Sequence, residues 1–329
     1  MYTTLKDNKL LCELCSHHCI IDEGRSGFCR ARENIHTSLH LPFYGLLSGT
    51  GIDPIEKKPL YHYRPGTKVF SVGYWGCNLR CPFCQNWQIS QQDPGHRTGM
   101  VTADSLISQI QNANLDSVCH TYSEPSIHIE YLLECAEKAR ELEMRSLLVT
   151  NGNLEPKPAR DLYGKMAAVN IDLKSMNEEY YRRILRGDLN TVLNNIRTAV
   201  ELSHVEVTSL IVPGNNDSVS EIRKAAVFLR RVEDETGKSI PFHLSRYFPN
   251  FKEQTDPPEV LLLKELQHEA QKHISYVYLG NVDEVSETRC RECGFLLIIR
   301  HGYKTQNTFA VKNNKVICPN CQACQPITL

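Results

Sequence analysis

Between residues 69 and 280, apolar positions alternate between two spacings. Short apolar runs at residues 69–73, 117–121, 146–150, 169–173, 205–212, 241–245 and 276–279 read as buried strands. Between them the apolar residues recur at helical spacing. Ile222, Ala225, Ala226 and Leu229 follow i, i+3, i+4, i+7, and Val192, Ile196, Ala199 and Val200 do much the same. This alternation predicts βαβ units and a parallel sheet, hence an α/β fold of the partial (β/α)6-type TIM barrel kind. Folds of this kind carry their chemistry in the loops after the strands.

The flanks lack both spacings. Residues 1–66 hold four cysteines and then Pro42, Gly45, Gly49, Gly51, Pro54, Pro59 and Pro65, which predicts an irregular Cys-rich N-terminal segment. Residues 67–285 form the expected barrel. Residues 286–329 carry two Cys-x2-Cys knuckles around β-prone runs and a turn at Asn313-Asn314, the layout of a small C-terminal zinc ribbon.

Composition narrows the class. The chain has 329 residues, 41% hydrophobic and 23% charged, with a net charge of -1. That excludes disorder, collagen and coiled coil as descriptions of the whole. Near-neutrality also argues against wholesale binding of a phosphate backbone, although residues 290–329 have a local basic excess that leaves nucleic acid open as a partner. No apolar run approaches the ~20 residues of a membrane span. The first eight residues lack the apolar core of a signal peptide. The expected location is therefore cytoplasmic, with no membrane partner.

Cysteine changes the picture most. There are 14, and all but Cys119 and Cys135 fall into three clusters. A reducing compartment makes metal ligation the natural reading. Cys290, Cys293, Cys318 and Cys321 can close a tetrahedral zinc site, with Cys324 surplus. Cys12, Cys15, Cys19 and Cys29 suit either zinc or a second iron–sulfur cluster, and His17 and His18 lie inside their loop. The central cluster, Cys77-x3-Cys81-x2-Cys84, has three thiols where a cubane usually takes four. Three ligands leave one iron open to a substrate or cofactor.

That spacing, with Phe83 before the third cysteine and a position just after the first strand, resembles the signature of radical S-adenosylmethionine (SAM) enzymes. The resemblance implies a [4Fe-4S] cluster on Cys77, Cys81 and Cys84. It implies that the cluster cleaves SAM reductively to a 5′-deoxyadenosyl radical, which abstracts hydrogen from a substrate. Glu124 stands by position where the family contacts the SAM amino group, without the family's glycines. Thr150-Asn151-Gly152 and Asp172-Leu173-Lys174 resemble elements of the pyruvate formate-lyase-activating enzyme group. By that resemblance Phe83, Glu124, Thr150, Asn151, Asp172 and Lys174 would bind the cofactor; His243 is a further candidate from its place on the sixth strand. No catalytic residue is singled out.

The cysteines at 12, 15, 19 and 29, the run Asp53-Pro54-Ile55-Glu56-Lys57-Lys58-Pro59-Leu60-Tyr61-His62 and the Cys77 motif through Ser90 together resemble the AmmeMemoRadiSam-system radical SAM enzyme. This implies an electron donor such as flavodoxin or ferredoxin and Memo-like and AMMECR-like proteins as partners. Two alternatives remain at this point. One is a glycyl-radical-enzyme activase; the other is a non-enzymatic zinc-ribbon binding protein.

Overall fold

The computed structural model describes residues 2–7, 9–95 and 99–329. Near the N-terminus, β1 (Thr3–Lys6), β2 (Lys9–Cys12) and β3 (Ile20–Ile21) form a small antiparallel sheet, and β4 (Glu33–Ile35) pairs with β5 (Ser38–His40). The central sheet follows: β6 (Gly49–Pro54), β7 (Lys68–Gly73), β8 (Ser117–Thr121), β9 (Arg145–Thr150), β10 (Ala168–Asp172), β11 (His204–Ile211), β12 (Phe242–Arg246) and β13 (Val277–Gly280). Strands β7 to β13 run parallel in sequence order, as the apolar runs predict.

Each crossover helix buries the face that its periodicity marks. The helix α1 (Trp87–Gln91) closes the cysteine loop, and α2 (Ala103–Asn112), α3 (Ile129–Glu141) and α4 (Pro156–Tyr163) follow it. After the short α5 (Glu178–Tyr180) come α6 (Leu189–Leu202), α7 (Val219–Thr236) and α8 (Val260–Gln271). In α7, Ile222, Ala225, Ala226, Leu229 and Val232 are buried; the Ser218 side chain caps its start and Gly237 in the left-handed region ends it.

One feature departs from the sequence expectation. The N-terminal segment is not irregular throughout, because β6 joins the central sheet, antiparallel to β7, from Gly49↔Gly73 to Pro54↔Lys68. Its glycines hide it from pattern reading, and the packing demand for glycine falls on its partner β7. A Cβ on Gly73 would meet Tyr122 Cδ2 at 2.9 Å, whereas one on Gly51 would only make ordinary contact with the Tyr122 hydroxyl, at 3.8 Å. Tyr122 lies across this strand pair and needs the room. The sheet is open: its order runs from β6 to β13 with no pairing between the two ends among the described residues.

The C-terminal segment spans that opening. β14 (Val285–Arg289), β15 (Leu296–His301) and β16 (Lys304–Asn307) form one antiparallel sheet, and β17 (Ala310–Lys312) pairs with β18 (Lys315–Ile317). On one side, Thr288 Oγ1 lies 2.8 Å from the Tyr278 hydroxyl of β13. On the other, Thr305 donates to Glu56 at 2.7 Å and Asn307 to the Pro65 carbonyl at 3.0 Å. Buried Arg300 donates to the Tyr61 carbonyl at 2.7 Å and lies over the Tyr61 ring. A buried guanidinium held in this way costs more to unpair than a surface one.

Candidate active site

The loop after β7 carries the three central cysteines over the C-terminal ends of the strands. Cys77, Cys81 and Cys84 line a cavity of about 490 Å³, together with Phe83, Glu124, Thr150, Asn151, Asp172 and Lys174. Six of the seven sequence-predicted cofactor residues thus meet at one place.

The loop is fixed by close backbone packing. Gly76 has φ +84, and a Cβ there would lie 2.6 Å from the Cys29 carbonyl oxygen, so only glycine fits. Cys77 Sγ accepts from the Leu79 N–H at 3.3 Å and from Asn151 Nδ2 at 3.7 Å. Cys84 Sγ lies 3.2 Å from Ser90 Oγ. Burial pushes the Cys77 thiol up, helped by the negative charge of Glu124, and pushes Cys81 up to about 12. Protons therefore leave these sulfurs when a cationic centre takes their place, so metal loading releases protons.

Glu124 is 1% exposed. One oxygen accepts from Thr150 Oγ1 at 2.6 Å and from the Ser126 N–H at 3.1 Å; the other accepts from the Asn151 N–H at 2.7 Å. All three donors are neutral. Burial raises its pKa, and these bonds recover only part of the shift. Asn151 also donates to Asn78 Oδ1 at 2.8 Å, which ties the end of β9 to the cysteine loop. Asp172 and Lys174 pair at 2.8 Å on the cavity wall. Burial works to lower the Lys174 pKa, but the negative Asp172 and Cys81 outweigh it and raise it.

His243 is the exception. It is 2% exposed and does not reach the cavity; its Nε2 lies 2.7 Å from Glu206 Oε2, and its ring meets Tyr61 edge-on. Alternation along β12 gives the reason. His243 and Ser245 point to one side, but only Ser245 is far enough along the strand to line the cavity.

Sequence reasoning missed part of the wall. Lys57, Lys58, Tyr122, Thr208, Asn281 and Tyr303 also line the cavity. Asp53 bonds Lys57 and Lys58 at 2.8 and 2.7 Å and accepts from the Tyr122 hydroxyl. Burial opposes its charge, but these three donors hold its carboxyl below the ordinary carboxylate range. The run Asp53…Lys57-Lys58 was the available signal. Tyr303, at the tip between β15 and β16, brings the C-terminal segment to the same cavity.

Among the described residues, Cys290, Cys293, Cys318 and Cys321 are the one group of three or more ligand atoms lying within 4.8 Å of one another. Cys290 and Cys321 sulfurs lie 3.6 Å apart, as do those of Cys293 and Cys318. A tetrahedron with bonds of 2.3 Å has edges of about 3.8 Å, so this set fits one metal ion without rearrangement. Cys324 stands outside it. The more widely set Cys77, Cys81 and Cys84 do not fit one small ion. Three cavity-facing thiols do fit a larger cluster with one corner left open.

Among the described residues, no helix is long and apolar enough to cross a membrane. An uncharacterized protein of Methanocaldococcus jannaschii is 37% identical over 329 residues, covering 98% of this chain and 96% of its own length. The pyruvate formate-lyase-activating enzyme of Clostridium pasteurianum is 24% identical over 196 residues, 54% of this chain and 76% of that one. The crystal structure of Streptococcus suis SuiB bound to S-adenosylmethionine superposes with a TM-score of 0.50 at 13% identity, over 63% of this chain and 48% of that one, a likeness of fold alone. Residues 73–229, which hold the three-cysteine loop and most of the cavity wall, match the Radical SAM superfamily. The chain therefore belongs to the radical SAM superfamily, whose members are enzymes that use a [4Fe-4S] cluster and SAM.

Proposed function

We propose that this chain cleaves SAM reductively and directs the resulting radical at a substrate held in the same cavity. The observation that carries this is the meeting of Cys77, Cys81 and Cys84 with Glu124 and the Asp172–Lys174 pair around one space of about 490 Å³. The bound cluster and SAM would supply the electron and the 5′-deoxyadenosyl radical. The protein's own residues do the rest. The three thiols hold the cluster and leave one corner free. Glu124, with only neutral partners, accepts from the SAM ammonium. Thr150 and Asn151 keep the Glu124 carboxylate aimed, and Phe83 shields the site from water. Lys57 and Lys58, sharing the one Asp53 carboxylate, leave positive charge on the wall, which suits an anionic substrate.

The reading goes further in four respects. The fold acts as a partial barrel, its open side covered by β14 to β16. Cys290, Cys293, Cys318 and Cys321 bind structural zinc. The group within the superfamily is the AmmeMemoRadiSam system, with Memo-like and AMMECR-like partners. The setting is cytoplasmic, and the electron donor is a low-potential protein such as flavodoxin or ferredoxin.

The test is anaerobic reconstitution followed by reduction with dithionite in the presence of SAM. The expected products are methionine and 5′-deoxyadenosine, formed slowly without substrate. Replacing Cys77, Cys81 and Cys84 together by Ala should abolish them. Product formation at the wild-type rate in that variant would reject the proposal. A glycyl-radical-enzyme activase is the second reading, favoured by the similarity to the Clostridium pasteurianum enzyme. It requires a glycine-centred radical on a partner protein after SAM cleavage, which electron paramagnetic resonance (EPR) would detect.

A further inference from the structure

The cavity wall has two origins. Most of it lies within residues 73–229, the part that matches the superfamily. Lys57, Lys58, Ser245, Asn281 and Tyr303 line it from outside that range. The shared part serves the shared chemistry, so what sets this chain's substrate apart is expected among these five. The N-terminal segment reaches the cavity through its two lysines; Cys12, Cys15, Cys19 and Cys29 do not line it.

The two lysines are not equivalent. The Lys58 side chain is only 2% exposed, seated between Asp53 Oδ2 at 2.7 Å and the Tyr122 ring, whose centroid is 4.4 Å from its Nζ. The Lys57 side chain is 44% exposed and gives one N–H to Asp53 Oδ1 at 2.8 Å. An ammonium has three donors, so two remain. The neighbouring Glu56 does not line the cavity; it accepts from the Gly66 N–H and from Thr305 Oγ1, both at 2.7 Å. Two ammonium groups therefore share the Asp53 carboxylate, and one positive charge faces the cavity without a partner of its own.

The Glu56–Thr305 bond does a second thing. Thr305 lies two residues beyond Tyr303, and Glu56 immediately precedes Lys57, so the bond ties the hairpin tip that carries Tyr303 to the turn that carries Lys57. Tyr303 is 53% exposed, lines the cavity and has no hydrogen-bond partner among the described residues. Tyr122, which donates to Asp53, holds φ +75, a strained backbone for an aromatic residue. Asn86 of the cysteine loop donates to its carbonyl at 2.6 Å. Strain of this kind persists where the surroundings over-determine it, as they do at binding sites.

We propose that Lys57 and Tyr303 form a subsite for an oxyanion of the substrate, a carboxylate or a phosphate, beside the space for SAM. The proposal rests on the radical SAM reading for its neighbour but not for its own ligands. Lys57 supplies the charge and two N–H donors, and the Tyr303 hydroxyl supplies another donor. Asp53 aims Lys57, and Lys58 keeps Asp53 charged. The C-terminal segment thereby becomes part of the substrate site.

The test is calorimetric titration of the anaerobically reconstituted full chain with inorganic phosphate and, separately, with malonate. Both are added as dianions at saturating SAM and at low ionic strength, where screening is weak. At least one should bind at a single site per chain, and chloride at matched ionic strength should not. Lys57→Gln should weaken binding about tenfold or more, the order expected for a charged hydrogen bond. Lys57→Arg, which keeps the charge, should hold it within about threefold. Tyr303→Phe removes only a hydroxyl and should weaken it about threefold or more. Tighter phosphate binding supports a phosphorylated substrate, and tighter malonate binding supports a carboxylated one. Should Lys57→Gln fail to fold, Tyr303→Phe decides, since its side chain is half in solvent. Three results would each overturn the subsite: no saturable binding of either anion, binding unchanged in these variants, or binding abolished by SAM, which would make the site that of the SAM carboxylate. Lys57-dependent anion binding by a chain that neither binds nor cleaves SAM would leave the subsite standing and reject the radical SAM reading.

Discussion

Glu124 and Glu206 are the same residue at nearly the same burial, 1% and 0% exposed, yet their companions make them opposites. Glu124 follows the C-terminal end of β8 and accepts only from neutral donors, Thr150, Asn151 N–H and Ser126 N–H. Burial wins there, and its pKa rises. Glu206 sits in the first half of β11 and accepts from the His62 N–H at 2.7 Å, from His243 at 2.7 Å and from His204 at 3.1 Å. Burial opposes its charge too, but the two imidazoles outweigh it and hold the carboxyl well below the usual range. A buried carboxylate with two imidazoles already in place around it is a post for the structure. One without them, facing a cavity, leaves its demand for a cation to a ligand. That difference separates the binding end of the sheet from the packed interior below it.

The largest effect should come from Glu206→Ala, which strands two histidines and a backbone N–H in the interior. Stability should fall on the order of 3–5 kcal/mol, read from the urea midpoint; a loss under about 1 kcal/mol would mean the network is not structural. Next is Glu124→Gln, which keeps the shape and removes the charge. SAM affinity in the reconstituted protein should weaken about tenfold or more, the order expected for a charged hydrogen bond, as calorimetric titration would show. Unchanged affinity would erase the contrast drawn above.

The pH dependence follows from the signs. Glu206 has a depressed folded pKa, so its contribution is complete above its unfolded value of about 4.3 and is lost as pH falls towards the folded value. Glu124 has a raised folded pKa, so its contribution is complete below about 4.3 and is lost as pH rises through the folded value. Urea midpoints between about pH 5 and pH 2 should therefore fall steeply in wild type and less steeply in Glu206→Gln. Parallel curves would count against the pairing. The smallest effect is at Asp53, a third carboxylate, already paired like Glu206 but on the cavity side. Tyr122→Phe removes one of its donors and should cost about 0.5–1.5 kcal/mol in the same urea assay, with Lys57 and Lys58 keeping the charge in place. A cost as large as that of Glu206→Ala would make Tyr122, not the lysines, the anchor.

Much of this was legible without coordinates, because parallel strands buried on both faces need continuous apolar runs and crossover helices need a 3.6-residue stripe. Cys77, Cys81 and Cys84 were legible because their spacing alone brings three thiols to one turn. Glu124, Thr150, Asn151, Asp172 and Lys174 were legible because they lie at strand ends, where chemistry collects in such folds. His243 shared that signal and was misplaced by it. Its height along β12, two residues below the cavity wall, depends on strand register that neighbouring strands set.

The order of strands, the helix faces and the grouping of cysteines were thus determined by the sequence itself, since each depends on spacing within a short stretch. The tertiary structure decided the rest. It recruited the glycine-rich β6 by pairing it with β7 under Tyr122, and it set β14 to β16 across the open side so that Tyr303 reaches the cavity. It gave Glu206 two histidines from β11 and β12 and gave Glu124 none. The physical reason is the same in each case: charge state and close packing depend on which atoms meet across long separations in the chain, and local spacing carries no record of those meetings.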